Sequence, residues 1–177
     1  MSSAGRSPSL PPSAVTHDPE RMSLIRGPYD ANEEIGRRFL ALVSEHDIDG
    51  LIAMISPTWT MHGGPPELPA GEAGIRQLFA TFGRIKQQWT VEDVIATVDK
   101  VAVRATNTVD QDSFLGIPSH GRQQVFTAMF IHHITGGLIS QTWRNADDLG
   151  RLLQLGARIE PGRPYSSKEA APTAKTV

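Results

Sequence analysis

The sequence predicts an α+β domain in which helices pack on one face of a curved antiparallel or mixed sheet. Three observations predict it. Helical spacing of apolar residues is confined to the first half of the chain, apart from one short strand. Two-residue spacing then fills residues 89–146. No segment repeats, so the element order αα-β-α-ββββ separates the helices from a meandering sheet.

The elements follow in order. Residues 1–28 are rich in Ser and Pro without a period and are expected to be a disordered tail, as are residues 159–177. Eight of the 13 prolines lie in residues 1–28 or 161–177, which accounts for a modest apolar content of 39%. The folded body is expected over residues 29–158, long enough to bury a core. Ile35, Phe39, Leu42 and Val43 recur at helical spacing and predict a helix over 30–46. His46-Asp47 ends it, and residues 48–55 form a short second helix before Pro57. Residues 58–62 (TWTMH) read as a strand, followed by the Gly/Pro loop GGPPELPAG. Ile75, Leu78, Phe79, Phe82 and Ile85 predict a third helix over 71–85. Strands are expected over 89–98, 101–109, 123–134 and 138–146, with a loop at 110–120 and a turn at Thr135-Gly136-Gly137. DDLGRLLQLG closes the body with a helical turn.

Composition removes several function classes. Net charge is −2 with acids and bases interspersed, and the basic stripe of a nucleic-acid binder is missing. With no cysteine, disulfides, thiolate catalysis and Cys-ligated zinc are excluded. No apolar run is long enough to span a bilayer and no signal-type apolar region opens the chain, so a cytoplasmic protein without membrane partners is expected. A G-x-S-x-G elbow and a phosphate-binding loop are both absent.

Particular stretches then carry a resemblance. WTMHGGPPELPAGEAGIRQLF combines a His-bearing strand, a Gly/Pro loop and a Gly-x-x-x-Ile helix start. DKVAVRATNT is followed by FLGIPSHGRQ, and the body ends in ITGGLISQTWRNADDLGRLLQLG. Together these resemble the SnoaL-like polyketide cyclase and ester cyclase family of the nuclear-transport-factor-2-like superfamily. The last stretch is the most specific, being similar to the family's I-x-x-G-k-I-x-e-x-W-x-x-x-D-x-L-g-x-x-x-Q-L-G ending. Gln141 stands where many relatives have Glu, and Ser119-His120 replaces a commoner Pro-Thr. The resemblance implies a cone-shaped α+β barrel and a small hydrophobic polyketide- or terpenoid-like substrate of secondary metabolism. It also implies no cofactor and a homodimer or homotetramer.

Candidate residues follow from strand geometry and from this resemblance. Two-residue alternation places Ile139, Gln141, Trp143, Asn145 and Asp147 on one face of the last strand, expected to be the cavity face. An Asp closing an apolar concave face is partly desolvated and suited to proton transfer. In the resembled cyclases the Asp of W-x-x-x-D is the general acid/base, and Asp147 matches it. The competing reading makes Asp147 the N-cap of the terminal helix. His132 and His133 point to opposite faces, and no other His spacing suits a metal, so none is expected. A three-residue turn brings His133 to the face of Trp143 and Asp147, whereas a two-residue turn brings His132. The resemblance favours His133 as the second catalytic residue. Arg104, mid-strand among apolar neighbours, either anchors a substrate oxygen or pairs with Asp93 or Glu92. Trp59, His62, Phe82, Phe130, Trp143 and Gln141 are expected around the substrate, the aromatics competing with a plain core role. Three activities stay open: a cyclase or isomerase, a non-catalytic binding protein, and a water-adding enzyme of epoxide hydrolase type.

Overall fold

A computed structural model describes residues 19–160, so the expectations for 1–18 and 161–177 lie outside the described residues. Among the described residues, four helices, α1 (Pro19–Glu45), α2 (Ile48–Met54), α3 (Gly71–Phe82) and α4 (Asp148–Gln154), pack with seven strands. The strands are β1 (Ile55–His62), β2 (Ile85–Ala96), β3 (Lys100–Gln111), β4 (Ser113–Phe114), β5 (Ile117–Pro118), β6 (Gln124–Thr135) and β7 (Leu138–Ala146). Five strands form one sheet in the order β1-β7-β6-β3-β2, with β1 parallel to β7 and the other pairs antiparallel. The architecture is the α+β one expected. Two details differ: α1 begins at Pro19, inside the segment expected to lack structure, and the expected loop at 110–120 contains the β4–β5 hairpin.

The helices lie against one face of the sheet because alternate strand residues there are apolar. Along β3, Val101, Val103, Ala105 and Val109 are buried, while Arg104 between them is exposed. Phe126, Ala128, Phe130 and Ile134 repeat the pattern on β6. Gly36 lets α1 approach this face, since a Cβ there would sit 2.8 Å from a Val103 methyl and 2.9 Å from a Val101 methyl. Asn32 ties the same helix to the β2–β3 turn through the carbonyls of Thr97 (2.7 Å) and Val98 (3.2 Å). At its other end the Ser44 hydroxyl accepts from the Trp89 backbone N–H at 2.9 Å, fixing where Trp89 enters the core.

The β6–β7 hairpin decides which side chains face inward. Thr135 pairs with Leu138, so the turn has two residues, Gly136 and Gly137, with φ of 59° and 80°. Both positions need positive φ, which glycine adopts without steric cost. The three-residue turn expected from sequence is therefore corrected. A second irregularity follows at once. Ile134 pairs with Ile139 but His133 pairs with Gln141, leaving Ser140 as an extra residue on β7. The bulge inverts the alternation: Ile139 is buried before it, and Thr142 is buried after it. The face expected to hold Ile139, Gln141, Trp143, Asn145 and Asp147 thus does not exist as one face. Past Ser140 the inward residues are Thr142 and Arg144.

Candidate functional site

Between the sheet and the helices lies a cavity of about 580 Å³, within the range of small-molecule sites. Its walls come from α1, α2, α3, β1, β2, β3, β6 and β7 and the loop at 63–66, and the β4–β5 hairpin and α4 line one end. Most of the wall is apolar, led by Phe39, Phe79, Phe82, Trp89, Phe126 and Phe130.

Polar groups enter this wall in two places. Midway, Asn107 Nδ2 donates to Gln87 Oε1 at 3.0 Å. Trp89 sits directly across from Asn107 in the β2–β3 ladder. Three atoms of this trio, Gln87 Nε2, Trp89 Nε1 and Asn107 Oδ1, are buried without a hydrogen-bond partner. Whichever way round the two amides pair, the trio keeps unpaired donors and an acceptor. Each such group costs on the order of 1–3 kcal/mol if left unsatisfied, so this cluster is suited to a ligand oxygen or a bound water.

The second polar place is the end formed by α4. Arg144 grips Asp148 with two parallel hydrogen bonds, Nη1 to Oδ2 at 2.9 Å and Nη2 to Oδ1 at 2.8 Å. Beside this pair lies Arg151, buried and sandwiched between the rings of Phe114 (3.8 Å) and Phe126 (4.9 Å). Its Nε donates to Gln124 Oε1 at 3.3 Å, and its Nη2 donates to Gln111 Oε1. Gln111 is held in turn, donating to the Phe82 carbonyl at 2.9 Å. Burial lowers the Arg151 pKa to about 10, which leaves it cationic at neutral pH. Gln154 docks α4 on β6 through both backbone groups of Val125, at 2.9 and 2.8 Å.

The residues singled out from sequence divide into three groups. Phe82 and Phe130 line the cavity. Trp59 is fully buried beneath it, where its indole N–H donates to the Thr142 hydroxyl at 3.0 Å. The others lie elsewhere. Asp147 is exposed and caps α4, its Oδ1 accepting from the Gly150 N–H at 2.8 Å. His133, Gln141, Trp143 and His62 occupy the outer face of the sheet: Gln141 and Trp143 because Ser140 shifts the β7 alternation, His133 because it alternates with the buried His132 on β6, and His62 because it alternates with the cavity-lining Met61 on β1. There the Trp143 ring lies 4.4 Å from each of the His62 and His133 rings. Arg104 is on the outer face too, bonded to Asp93 through Nε (2.9 Å) and Nη2 (2.6 Å). The inward histidine is His132, whose Nδ1 is 3.0 Å from the Thr142 hydroxyl. It lies against Phe39 and Phe130, and desolvation pushes its pKa down to about 3.

Eight polar wall residues were not singled out from sequence: Thr81, Gln87, Asn107, Gln111, Ser113, Arg144, Asp148 and Arg151. The burial alternation of β3 could have found Asn107 and Gln111, since both share the parity of Val101 and Val103. Arg144 was hidden by the bulge.

This sheet, with its helices over one face and its closing α4, is matched by known proteins. A family model described as a SnoaL-like domain matches residues 36–142, more than half of the chain. The chain belongs to the SnoaL-like family. Among solved structures, TsrD from Streptomyces laurentii is 29% identical with a TM-score of 0.63, covering 73% of this chain and 97% of its own. A SnoaL-like polyketide cyclase from Agrobacterium tumefaciens is 21% identical with a TM-score of 0.59, covering 69% of this SnoaL-like chain and 95% of its own. An LEH-like epoxide hydrolase from M. tuberculosis shares the fold at 15% identity and a TM-score of 0.58, over 72% and 90% of the two chains. No curated protein matches this chain by sequence.

Proposed function

We propose that this SnoaL-like protein is a cofactor-independent enzyme of the cyclase or isomerase type, acting by proton transfer on a small hydrophobic carbonyl compound held in the cavity. The observation that carries the reading is Asp148, the one carboxylate among the cavity-lining residues. Arg144 fixes its position while using one lone pair on each oxygen, which leaves each oxygen another. In an aldol closure, Asp148 takes a proton from the carbon next to a substrate carbonyl. That carbon then bonds to a second carbonyl carbon, whose oxygen receives the proton back. The unpaired N–H groups of Gln87 and Trp89 suit the oxygen on which charge develops. A polyketide- or terpenoid-like body suits the aromatic wall.

One observation favours a second reading. A carboxylate held by both prongs of an arginine is a weak base, which favours a binding protein without turnover. The test is a product assay over small diketones, hydroxyketones and epoxides with Asp148→Asn and Asp147→Asn. Asp148→Asn is expected to lose about 10²-fold or more in turnover, and Asp147→Asn to stay within a few fold. Full activity in Asp148→Asn overturns the assignment. Tight binding with no turnover by the unmodified protein supports the second reading, and diol formation from epoxides supports a water-adding enzyme.

We also propose that the outer sheet face pairs with a second copy of the chain. Antiparallel sheets normally turn polar residues to water on their free face, yet Val125, Met129 and Ile131 stand exposed on the outer face of β6, with Thr127 the one polar residue among them. A homodimer or homotetramer is what the family resemblance implies.

A further inference from the structure

The charges in the cavity wall do not balance. Arg144 and Asp148 neutralise one another across two hydrogen bonds. Arg151 remains, 5% exposed, with no carboxylate within ion-pairing distance among the described residues. Asp148 and Arg151 are three residues apart on α4, a spacing at which an acid and a base can pair. The pairing is given up to Arg144 instead. All of the groups that do touch the Arg151 guanidinium are neutral: two amide oxygens from Gln111 and Gln124, and the rings of Phe114 and Phe126. They orient the cation without compensating its charge, and none of these hydrogen bonds uses Nη1. A buried charge without a counter-charge is strongly unfavourable, and a clip between hairpin and sheet needs no charge to do its work.

We propose that the ligand of this cavity is an amphiphilic organic anion, a hydrophobic body bearing one anionic group such as a carboxylate, and that the anionic group docks on Arg151. The proposal rests on the reading of the cavity as a small-molecule site and names the class of molecule it takes. A bound anion supplies the missing counter-charge inside a low-dielectric wall, where an ion pair is far stronger than at a surface. The planar fork of arginine suits a carboxylate in particular. The aromatic wall takes the body of the molecule, and the Gln87–Trp89–Asn107 trio is left for an uncharged oxygen elsewhere on it.

Two fluorescent probes test this, because they share a ring system and differ in charge. Anilinonaphthalene sulfonate carries one anionic group, and N-phenylnaphthylamine carries none. Titration of the full chain is expected to show the anionic probe bound about tenfold or more tightly than the neutral one. Arg151→Leu is expected to abolish that preference and leave the neutral probe within about twofold. Arg151→Lys, which keeps the charge and guards against misfolding of the leucine variant, is expected to retain several-fold preference. Arg37→Leu, on an exposed face of α1, is expected to leave the ratio unchanged. Equal binding of the two probes by the unmodified protein overturns the proposal, as does a preference that survives Arg151→Leu or falls equally in Arg37→Leu. Binding of neither probe overturns the cavity reading beneath it, so the two failures are distinct.

Discussion

His132 carries a consequence for acid stability. In the unfolded chain a histidine takes up a proton near pH 6.5, whereas in the fold burial holds His132 down to about 3. Between those values the unfolded chain holds a proton that the native state refuses, so acid favours unfolding. Its contribution is flat above about pH 6.5 and falls toward pH 3 by about 1.4 kcal/mol per unit. His132→Phe removes the titrating group while keeping a ring between Phe39 and Phe130. Chemical denaturation from pH 7 to 4 is therefore expected to show a shallower loss of stability in the variant. Identical slopes would mean that His132 does not govern acid sensitivity. Single residues also mark where sequence reading stops. Asp147 and Asp148 are chemically alike and adjacent, and either could cap α4. The choice falls on Asp147 because the chain leaves β7 with its Oδ1 turned toward Gly150, which swings Asp148 inward to Arg144. Nothing local in the sequence distinguishes the two.

At the scale of elements, the capping role of Asp147 gives a second expectation. Asp147→Ala should lower stability by about 1 kcal/mol, with Asp147→Ser recovering most of it, as read by urea unfolding. An unchanged midpoint for the alanine variant would remove the cap from the account. The elements themselves were largely legible, because each is a period: Ile35, Phe39 and Val43 for α1, and alternate valines for β3. Their facing was legible only where alternation ran unbroken. On β3 and β6 it does, so the parity that places Asn107 and Phe130 inward could be read. On β7 it does not. The bulge at Ser140 depends on how a glycine turn and a partner strand meet, and no periodicity within β7 records that. The β4–β5 hairpin escaped for another reason, since its strands have two residues each and leave no pattern.

For the whole molecule, the family-like ending made the fold readable, while the cavity is assembled from many separated elements. Arg151 meets Gln111 across 40 positions and Gln124 across 27, distances at which sequence spacing carries no geometry. The proposed pairing of outer faces belongs to this scale as well. Met129→Glu, placing a charge in the middle of the exposed row on β6, is expected to yield monomers by sedimentation, with the melting temperature held within a few degrees. A unmodified chain that is itself monomeric at tens of micromolar would remove the pairing. Finally, the extra residue at Ser140 acts on β7 as a frameshift acts on a message. Odd positions before it are interior and odd positions after it are surface, so tolerance to substitution should invert at that point. Removing Ser140 would join Ile139 directly to Gln141 opposite Ile134 and His133, which are already neighbours on β6, so the ladder would close without a bulge and Arg144 would keep facing inward and Trp143 outward. The strand can thus lose one residue of length without exchanging the chemistry of the pocket for that of the surface.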